Sequence, residues 1–523
     1  MLTLCLVTAT AAADTSCRSN DGDATSPHRA GRAQTLIYGR GNDSRTLDPF
    51  MADEGETTLL IDNLYEPLVE FAADSTDVLP CLATAWTVSE DQRTWTFTLR
   101  DGVVFHNGDP LTPEDVRFTL DRLFNDDNAY RFGQNSPYAY LYEDFDGVRV
   151  VDGRRVAVTL NHPSAVCLAN LAMFPASIVS KRAVIEHGRD FGNTPAGTGP
   201  FMIEQWTPRV KIVVRRFDGY WRDKPAFDRI VFQPIPENAA RRARLEKGEI
   251  DFMDNVNFAD VDALRAAPGV KVLTQIGMNL GFLAINTHKP PLTDVRVRRA
   301  IAHAIDKSRI NIQAYAGVAE TGPNPLPPTI WSYNNDIHDY AYDPDHARRL
   351  LRDAGVAPGT PLEFWTMTNP RPYMPLPQRV AQIIKDNLTA VGFHVVLRPL
   401  EWGTYLDRTK RGEQHLALYG WSTDNGDPDN FLYALLSADT IGSNNICFYD
   451  DPRFTDLIDR ARRLLDRTER ETLYRDAQDI VHRDCPLVPL VYCPQVVATR
   501  TRVGGYVVHP MGIRRLRHIT LDR

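Results

Sequence analysis

A short segment of the chain, residues 417–431, brings three carboxylates together. An apolar run ends there, and Asp424, Asp427 and Asp429 follow within six positions. Carboxylates at this spacing could bind calcium, form an acid–base pair for hydrolysis, or make one end of a ligand site. The simplest alternative is a turn, because Asp, Asn, Gly and Pro are also the residues that turns use.

The spacing does not support a metal site. Counted from Asp424, an EF-hand loop needs Gly at its sixth position and Glu at its twelfth, whereas Gly426 is third and Leu435 is twelfth. The 13 histidines form no HxH or HxxxH pair that would suggest another metal. We therefore expect no metal and no cofactor.

The segment is not typical of an enzyme either. Pro428 favours a turn and a helix start, which Asp427 or Asp429 would cap. The chain contains no HExxH, GxSxG, GxxxxGK[ST] or GxGxxG motif. The sequence therefore predicts no catalytic residues, and binding is the function that remains for the carboxylates.

The elements around this segment predict a parallel sheet. Strands alternate with amphipathic helices in the order strand, helix, strand, short helix, strand, over residues 361–368, 376–392, 394–400, 402–412 and 415–421. A βαβαβ order of this kind is typical of parallel strands joined by crossover helices. Open α/β sheets bind ligands at the carboxyl ends of such strands.

Two opposite charges would lie at that edge. Arg371 is in the loop after the first strand, and Asp424 is in the loop after the third. A guanidinium can bind a carboxylate through two hydrogen bonds, and a carboxylate can accept from an ammonium. The pair would suit a zwitterion of fixed length, because each extended residue adds about 3.3–3.6 Å. The alternative is that the two charges pair with each other or with neighbours.

The rest of the chain has a mixed α/β pattern. Residues 94–106 alternate and then break at a turn, which predicts a hairpin. Residues 112–124 begin with Thr, Pro and two acids, which predicts a capped helix. The chain has 523 residues, 43% of them hydrophobic and 24% charged, so we expect a soluble protein of two to four domains. A net charge of −8 does not suggest a nucleic-acid partner.

The N-terminus is typical of an exported protein. Residues 1–16 form a short apolar stretch ending in small residues, and 17–34 read as a polar linker. Cleavage after the alanines is the first interpretation, and lipidation of Cys17 is the second. Either would place the protein in the periplasm or on the outer face of the cytoplasmic membrane. The chain has seven cysteines and no CxxC, so one disulfide is possible but is not specified.

The chain resembles the family 5 extracellular solute-binding proteins, the peptide- and nickel-binding receptors of ABC importers. The resemblance extends from about residue 35 to 523. It rests on several landmarks, which are the segment 82–122, GTGPF (197–201), RFDGYW (216–221), the segment 285–307 and YDPDHARRLLRDAG (342–355).

Within the family, the chain is most similar to the dipeptide-binding branch. The similarity lies in RPYMP (371–375), EWGTYLDRTKRGE (401–413), GWSTDNGDPDNF (420–431) and GYVVHPMG (505–512). It implies that Arg371 binds the peptide carboxylate and that Asp424 binds the amine. It also implies that the same pocket is lined by Tyr373, Trp402, Gly420 and Trp421.

The resemblance implies an α/β fold of the periplasmic binding protein type, class II, with two lobes and a hinge. The N-terminal lobe would comprise 35–280 and 496–523, with an inserted subdomain at about 60–195. The C-terminal lobe, 281–495, would hold the charge contacts. The N-lobe loop 53–58 would face the ligand. One departure concerns a cysteine pair of this branch, since Ala438 replaces the first and only Cys447 remains.

The function implied is capture of a dipeptide or short peptide by a monomer and its delivery to ABC permease subunits. Relatives with the same fold bind haem, nickel complexes, glutathione or antimicrobial peptides, or serve as chemosensory receptors. Those alternatives stay open at this point, because the sequence does not show the docking surface or the shape of the cleft.

Overall fold

A computed structural model of the chain describes residues 34–522. The predicted export signal, Cys17 and the linker up to residue 33 lie outside the described residues. Within 34–522, none of the helices combines the length and the apolar character that crossing a bilayer requires.

The strands are short, and most lie in three sheets. In chain order they are β1 (Thr35–Arg40), β2 (Val69–Phe71), β3 (Val78–Pro80), β4 (Ala83–Val88), β5 (Thr94–Leu99), β6 (Phe145–Val150), β7 (Arg155–Leu160), β8 (Phe201–Thr207), β9 (Lys211–Arg216), β10 (Arg229–Pro234), β11 (Phe252–Met253), β12 (Val270–Ile276), β13 (Asn279–Ile285), β14 (Pro361–Met367), β15 (His394–Leu400), β16 (Leu416–Ser422), β17 (Leu487–Val491), β18 (Pro494–Arg500), β19 (Val503–Gly504) and β20 (Thr520–Leu521).

The α-helices cover the sheets. In chain order they are α1 (Gly55–Leu64), α2 (Pro113–Phe124), α3 (Cys167–Leu171), α4 (Lys181–His187), α5 (Asn238–Glu246), α6 (Val261–Ala266), α7 (Val295–Ala304), α8 (Lys307–Tyr315), α9 (Pro344–Asp353), α10 (Pro377–Ala390), α11 (Trp402–Lys410), α12 (Asp429–Leu436), α13 (Pro452–Arg463) and α14 (Arg467–Asp484).

Two mixed sheets form the body of the protein. One has seven strands in the order β12-β18-β11-β1-β10-β9-β8, and the other has five in the order β15-β14-β16-β13-β17. The chain passes to the five-stranded sheet between β12 and β13 and returns between β17 and β18. The predicted lobe limits at 280 and 495 stay a prediction, which these two crossings support.

A third sheet lies inside the predicted subdomain. It has four antiparallel strands in the order β4-β5-β7-β6. Helix α2 packs beside it and begins as predicted, because Thr112 and Asp115 form a capping box around a proline at the first turn. The predicted limits of the subdomain, about 60–195, stay a prediction.

The predicted hairpin over 94–106 is wrong. Both edges of β5 are occupied by other strands, β4 and β7. The residues after its turn bond locally instead, since the Phe105 amide donates to the Asp109 carbonyl at 2.8 Å and the Leu111 amide donates to the Val103 carbonyl at 2.9 Å. Val103 and Phe105 are buried. Their alternation therefore reflects burial in a core and not pairing with β5.

The predicted βαβαβ segment is confirmed by β14, α10, β15, α11 and β16. Strand β14 pairs in parallel with β15 on one side and with β16 on the other. Helix α10 begins at a proline and buries the predicted apolar face, including Val380, Ile383, Ile384 and Leu388. The loops that follow β14 and β16 therefore leave the sheet at the same edge.

The cysteines of the described residues are all unpaired. Cys81, Cys167, Cys447, Cys485 and Cys493 are buried and free. The disulfide that the sequence allowed therefore has no counterpart among residues 34–522.

Candidate ligand-binding site

The loop after β16 is held at its base by one side chain. The Asn430 Oδ1 atom accepts from the Asp424 amide at 2.9 Å and from the Trp421 indole at 3.0 Å. Asn430 is buried in the first turn of α12. The helix start therefore fixes the backbone that presents Asp424 and places Trp421 beside it.

The carboxylate of Asp424 has neutral partners only. It accepts from the Tyr140 hydroxyl at 2.9 Å and from the Asn430 amide at 3.3 Å. Burial raises the pKa of Asp424, and these two hydrogen bonds oppose the rise. Among residues 34–522 no cationic side chain lies within ion-pair distance of it. A carboxylate has about four acceptor positions, so it can still accept from an ammonium.

The other two acids of the segment have structural partners. Asp427 pairs with Arg470 at 2.7 Å and accepts from the Asp429 amide at 3.0 Å, which starts α12. Asp429 pairs with Arg462 at 3.1 Å, and burial raises the pKa of Asp429 to about 6. Both acids therefore build the turn and the helix start, and Asp424 is the acid that remains for a ligand.

The same loop touches the region predicted as the inserted subdomain. The Asn425 amide donates to the Asn170 Oδ1 at 2.7 Å, and the Thr76 hydroxyl donates to the Gly426 carbonyl at 3.3 Å. Gly426 has φ of +68°, and a Cβ there would lie 2.2 Å from the Thr76 Cγ2. Position 426 therefore requires glycine for two reasons, its positive φ and its close approach to Thr76.

The loop after β14 folds back onto its own sheet. Arg371 and Met374 exchange backbone hydrogen bonds of 3.0 and 2.9 Å, which closes a tight turn. The Tyr373 ring covers Gly420, where a Cβ would lie 2.1 Å from the Tyr373 Cδ2. The predicted site residues Tyr373 and Gly420 are therefore in direct contact, and Gly420 is needed for that contact.

Arg371 rests on an aromatic face. Its guanidinium carbon lies 3.6 Å from the centroid of the Trp402 ring, and Trp402 stacks on Tyr405 at 5.8 Å. The Arg371 Nε is buried and has no hydrogen-bond partner in the described part of the chain. No carboxylate of residues 34–522 forms an ion pair with it. The structure therefore keeps Arg371 and Asp424 as separate, unneutralised charges.

A cavity of about 230 Å³ lies between the loop after β16 and the elements opposite. Its lining includes Asp424 and Thr423 from that loop, and the predicted ligand-facing loop 53–58 contributes Asp53, Glu54, Gly55 and Thr58. Arg371, Tyr373, Trp402, Gly420 and Trp421 are not in the lining. The structure thus groups Arg371 with Trp402, and neither residue lines this cavity.

Two residues of this site were not identified from the sequence. Tyr140 lies 284 positions from Asp424, and alternate tyrosines at 138, 140 and 142 give no signal of their function. Asn430 could have been found, because it follows the capping acids at the predicted helix start.

Comparisons with known proteins identify the family. The model of the family "Bacterial extracellular solute-binding proteins, family 5 Middle" matches residues 77–443. The chain is 37% identical over 510 residues to the dipeptide-binding protein of Escherichia coli, covering 94% of this chain and 95% of that protein. It is 34% identical over 540 residues to heme-binding protein A of Haemophilus influenzae, covering 99% of each.

The fold is also found in solved structures. The structure of HbpA2 from Haemophilus parasuis superposes with a TM-score of 0.91 at 30% identity and covers 94% of this chain and 100% of that one. The fold is that of the type II periplasmic binding proteins, with mixed α/β sheets and helices. One of these relatives is named for dipeptides and another for haem, so sequence similarity alone does not decide which ligand this chain binds.

Proposed function

The chain belongs to the bacterial extracellular solute-binding proteins of family 5, and from that premise we propose that it captures dipeptides for an ABC importer. Asp424 binds the free amine, Arg371 binds the free carboxylate, and the ligand lies in the cleft between the two lobes. The loaded protein then delivers the dipeptide to the membrane permease. The protein acts outside the cytoplasm, and it binds without catalysing a reaction.

One observation supports this proposal most strongly. Two opposite charges without ion-pair partners among residues 34–522 follow neighbouring parallel strands of one sheet. Both side chains are partly buried, and a charge in such a position without a partner is unfavourable, so each gains free energy when a ligand terminus neutralises it. A zwitterion supplies both partners at once.

The strand spacing favours a short ligand. Neighbouring strands lie about 4.8 Å apart, and β14 pairs directly with β16, so the loops that carry Arg371 and Asp424 follow adjacent strands. An extended dipeptide spans about 7 Å between its termini. Each added residue would move the carboxylate about 3.3–3.6 Å further from Asp424, beyond a fixed Arg371.

Trp402 supports the role of Arg371. A guanidinium on an aromatic face is held in one plane, so less side-chain entropy is lost when it binds a carboxylate. The aromatic face also leaves the outer edge of the guanidinium available for two parallel hydrogen bonds.

A second candidate ligand is haem, because heme-binding protein A matches nearly the whole chain. The chemistry of the cavity does not favour it. The cavity lining has six carboxylates against two guanidiniums, and this excess of negative charge would repel the two propionates of haem.

Calorimetric titration of the mature protein tests the proposal. We expect Ala-Phe to bind with a dissociation constant of about 1 μM or lower, which is about −8 kcal/mol. N-acetyl-Ala-Phe lacks the amine and a tripeptide exceeds the length, so both should bind at least about a hundredfold more weakly. Binding of haem and of none of the peptides would contradict the proposal.

Variants assign the two termini. Asp424→Ala and Arg371→Ala should each abolish binding of Ala-Phe without lowering the melting temperature. The control is Arg408→Ala, because Arg408 also lies over a tryptophan, Trp365 of β14, at 4.5 Å, but is already paired with Glu413 at 2.7 Å. It should bind Ala-Phe like the wild type. Normal affinity in either site variant would show that the assignment is wrong.

A further inference from the structure

The cavity beside Asp424 has an excess of negative charge. Its lining includes the cations Arg515 and Arg517 and six acids, which are Asp53, Glu54, Asp62, Glu66, Glu70 and Asp424. The partners of each acid decide whether this excess is already neutralised within the protein or is available to a ligand.

Both lining cations are bound to one acid. Glu70 lies 3.4 Å from Arg515 and 3.3 Å from Arg517, and it also pairs with Arg222. These arginines lower the pKa of Glu70 although burial opposes them. Both cations of the cavity wall therefore pair with the same carboxylate, that of Glu70.

Three other acids have partners of their own. Asp53 lies 3.7 Å from Arg45. Glu54 caps α1 by accepting from the backbone amides of its first turn. Glu66 lies 3.9 Å from Arg222, and it also accepts from the hydroxyls of Thr198 and Tyr220 at 2.9 and 2.8 Å and from the Trp221 indole at 2.7 Å.

Asp62 differs from these acids. It lies on α1 and accepts from the Arg514 backbone amide at 3.2 Å. No cationic side chain within residues 34–522 comes into ion-pair distance of its carboxylate. Burial raises the pKa of Asp62, and the charges of Arg515 and Arg514 reduce the rise without cancelling it. Asp62 and Asp424 are thus the two lining acids with neither an ion pair nor a capping role.

Apolar side chains form part of the cavity wall. Phe71, Ala172, Met173, Phe174 and Met511 line the same cavity. A long basic side chain matches such a space, because its methylene groups can pack on apolar walls while its charged end reaches a carboxylate. Thioether side chains adapt their shape to such a chain.

From these contacts we infer that the cavity binds the side chain of the ligand's amino-terminal residue and that Asp62 selects a basic one, lysine or arginine. The inference rests on the proposed function, since Asp424 at the cavity must hold the α-amine. The ligand would then carry two positive charges at one end, each facing a carboxylate that lacks a cation.

Titration with Ala-Ala, Lys-Ala and norleucyl-alanine tests this inference on the wild-type protein. Norleucine has the same chain as lysine without the ammonium, so the ratio of the two affinities isolates the charge. We expect Lys-Ala to bind at least about tenfold more tightly than norleucyl-alanine, as for a charge-assisted hydrogen bond. Ala-Lys should show no such gain, because its basic side chain is on the second residue.

A variant locates the effect. Asp62→Asn keeps an oxygen for the Arg514 amide. In this variant the ratio of the affinities for Lys-Ala and norleucyl-alanine should fall to about one. The matched control is Asp74→Asn, because it removes the same charge from an exposed side chain outside the cavity lining; it should keep the wild-type ratio. A preference that persists in Asp62→Asn would show that Asp62 is not the selecting residue.

The outcomes separate this inference from the proposed function. If Ala-Ala and norleucyl-alanine bind and Lys-Ala binds no more tightly, the side-chain inference is wrong and dipeptide capture stands. If no dipeptide binds, both are wrong. A gain for Ala-Lys equal to that for Lys-Ala would indicate general attraction to a negative cleft and would also overturn the inference.

Discussion

The loops after β14 and β16 leave adjacent strands of one sheet but are held in different ways. The loop that carries Arg371 packs on its own sheet, through Tyr373 on Gly420 and through Trp402. The loop that carries Asp424 contacts residues on the opposite side of the cleft, namely Thr76, Tyr140 and Asn170.

These different contacts suggest different roles for the two loops, with the loop of Arg371 serving ligand contact and the loop of Asp424 also serving lobe closure. Arg371 has its contacts within the predicted C-terminal lobe, so we expect it to be in position before the other lobe closes. The loop of Asp424 contacts residues of the predicted N-terminal lobe, so we expect it to complete these contacts only on closure. Changes at the first loop should therefore alter ligand contact alone, whereas changes at the second should also shift the equilibrium between open and closed forms.

The largest effect is expected where closure depends on packing. Gly426→Ala places a methyl group against Thr76, where a Cβ would lie only 2.2 Å from the Cγ2 atom. Overpacking costs about 1–3 kcal/mol, so calorimetry should show Ala-Phe binding about five- to 150-fold more weakly. Small-angle scattering should show that the ligand no longer compacts the protein fully.

A second glycine provides the control for that variant. Gly442 also has positive φ, +79°, but the nearest atom to a Cβ there is 3.8 Å away. Gly442→Ala should share the backbone strain, and so lose some thermal stability, while keeping its affinity and its compaction. Equal affinities for both alanine variants would show that the approach of Gly426 to Thr76 does not limit closure.

The next effect concerns the loop that is held within one lobe. Trp402→Leu removes the aromatic face under Arg371, and a cation–π contact contributes about 0.5–2 kcal/mol. Affinity for Ala-Phe should fall about two- to thirtyfold, and Trp402→Phe should recover part of the loss. Compaction by saturating ligand should be unchanged in both variants. Loss of compaction would contradict the separation between the two loops.

A smaller effect is expected at the hydroxyl that reaches Asp424 from across the cleft. Tyr140→Phe removes one neutral hydrogen bond, whose net value is about 0.5–1.5 kcal/mol, so affinity should fall about two- to tenfold. The matched control is Tyr138→Phe, because Tyr138 stacks on Tyr140 at 6.4 Å. It should leave the contact with Asp424 intact and keep the wild-type affinity.

The affinities of Tyr140→Phe and Tyr138→Phe should also differ in how they depend on pH. Only ionised Asp424 attracts the ammonium, so affinity should be constant above its raised pKa and fall by up to about tenfold per pH unit below it. The Tyr140 hydrogen bond lowers this pKa. Tyr140→Phe should therefore move the midpoint to higher pH, and Tyr138→Phe should not. Identical midpoints in titrations from about pH 8 to about pH 4 would contradict this.

The folding stability of the ligand-free protein should change with pH in the opposite sense to the affinity. The folded state binds the Asp424 proton more tightly than the unfolded state, because burial raises the pKa of this group. Its protonation therefore adds stability as pH falls through the raised pKa. Comparison of Asp424→Asn with the wild type in thermal melts isolates this contribution from those of other acids.

Local patterns made the sheet and its helices predictable. The βαβαβ segment follows from amphipathic periodicity and strand order, and the start of α2 follows from its capping box. The parallel order also predicted that Arg371 and Asp424 would lie at one edge. The prediction of a hairpin over 94–106 was wrong, because alternation shows which side chains are buried and does not show which strand is the pairing partner.

Contacts across the cleft could not be predicted in this way. Tyr140 and Asn170 meet the loop of Asp424 from 284 and 255 positions away, and no periodic pattern joins them. The position of Arg371 on Trp402 depends on how α11 begins after β15. The charge of the cavity depends on which acid binds each arginine, which only the packed structure shows.

The smallest effect is expected where the lobes are joined by charge alone. Arg467 lies 2.5 Å from Asp77 across the cleft, but both side chains are more than half exposed, at 56% and 51%. Solvent screens such a pair, so Asp77→Asn should weaken Ala-Phe binding by about twofold at most, and by less at high salt. An effect as large as that of Gly426→Ala would mean that closure is controlled by exposed charge and not by buried packing. Calorimetry of both variants at low and high ionic strength separates the two, since the effect of a packing defect does not depend on salt.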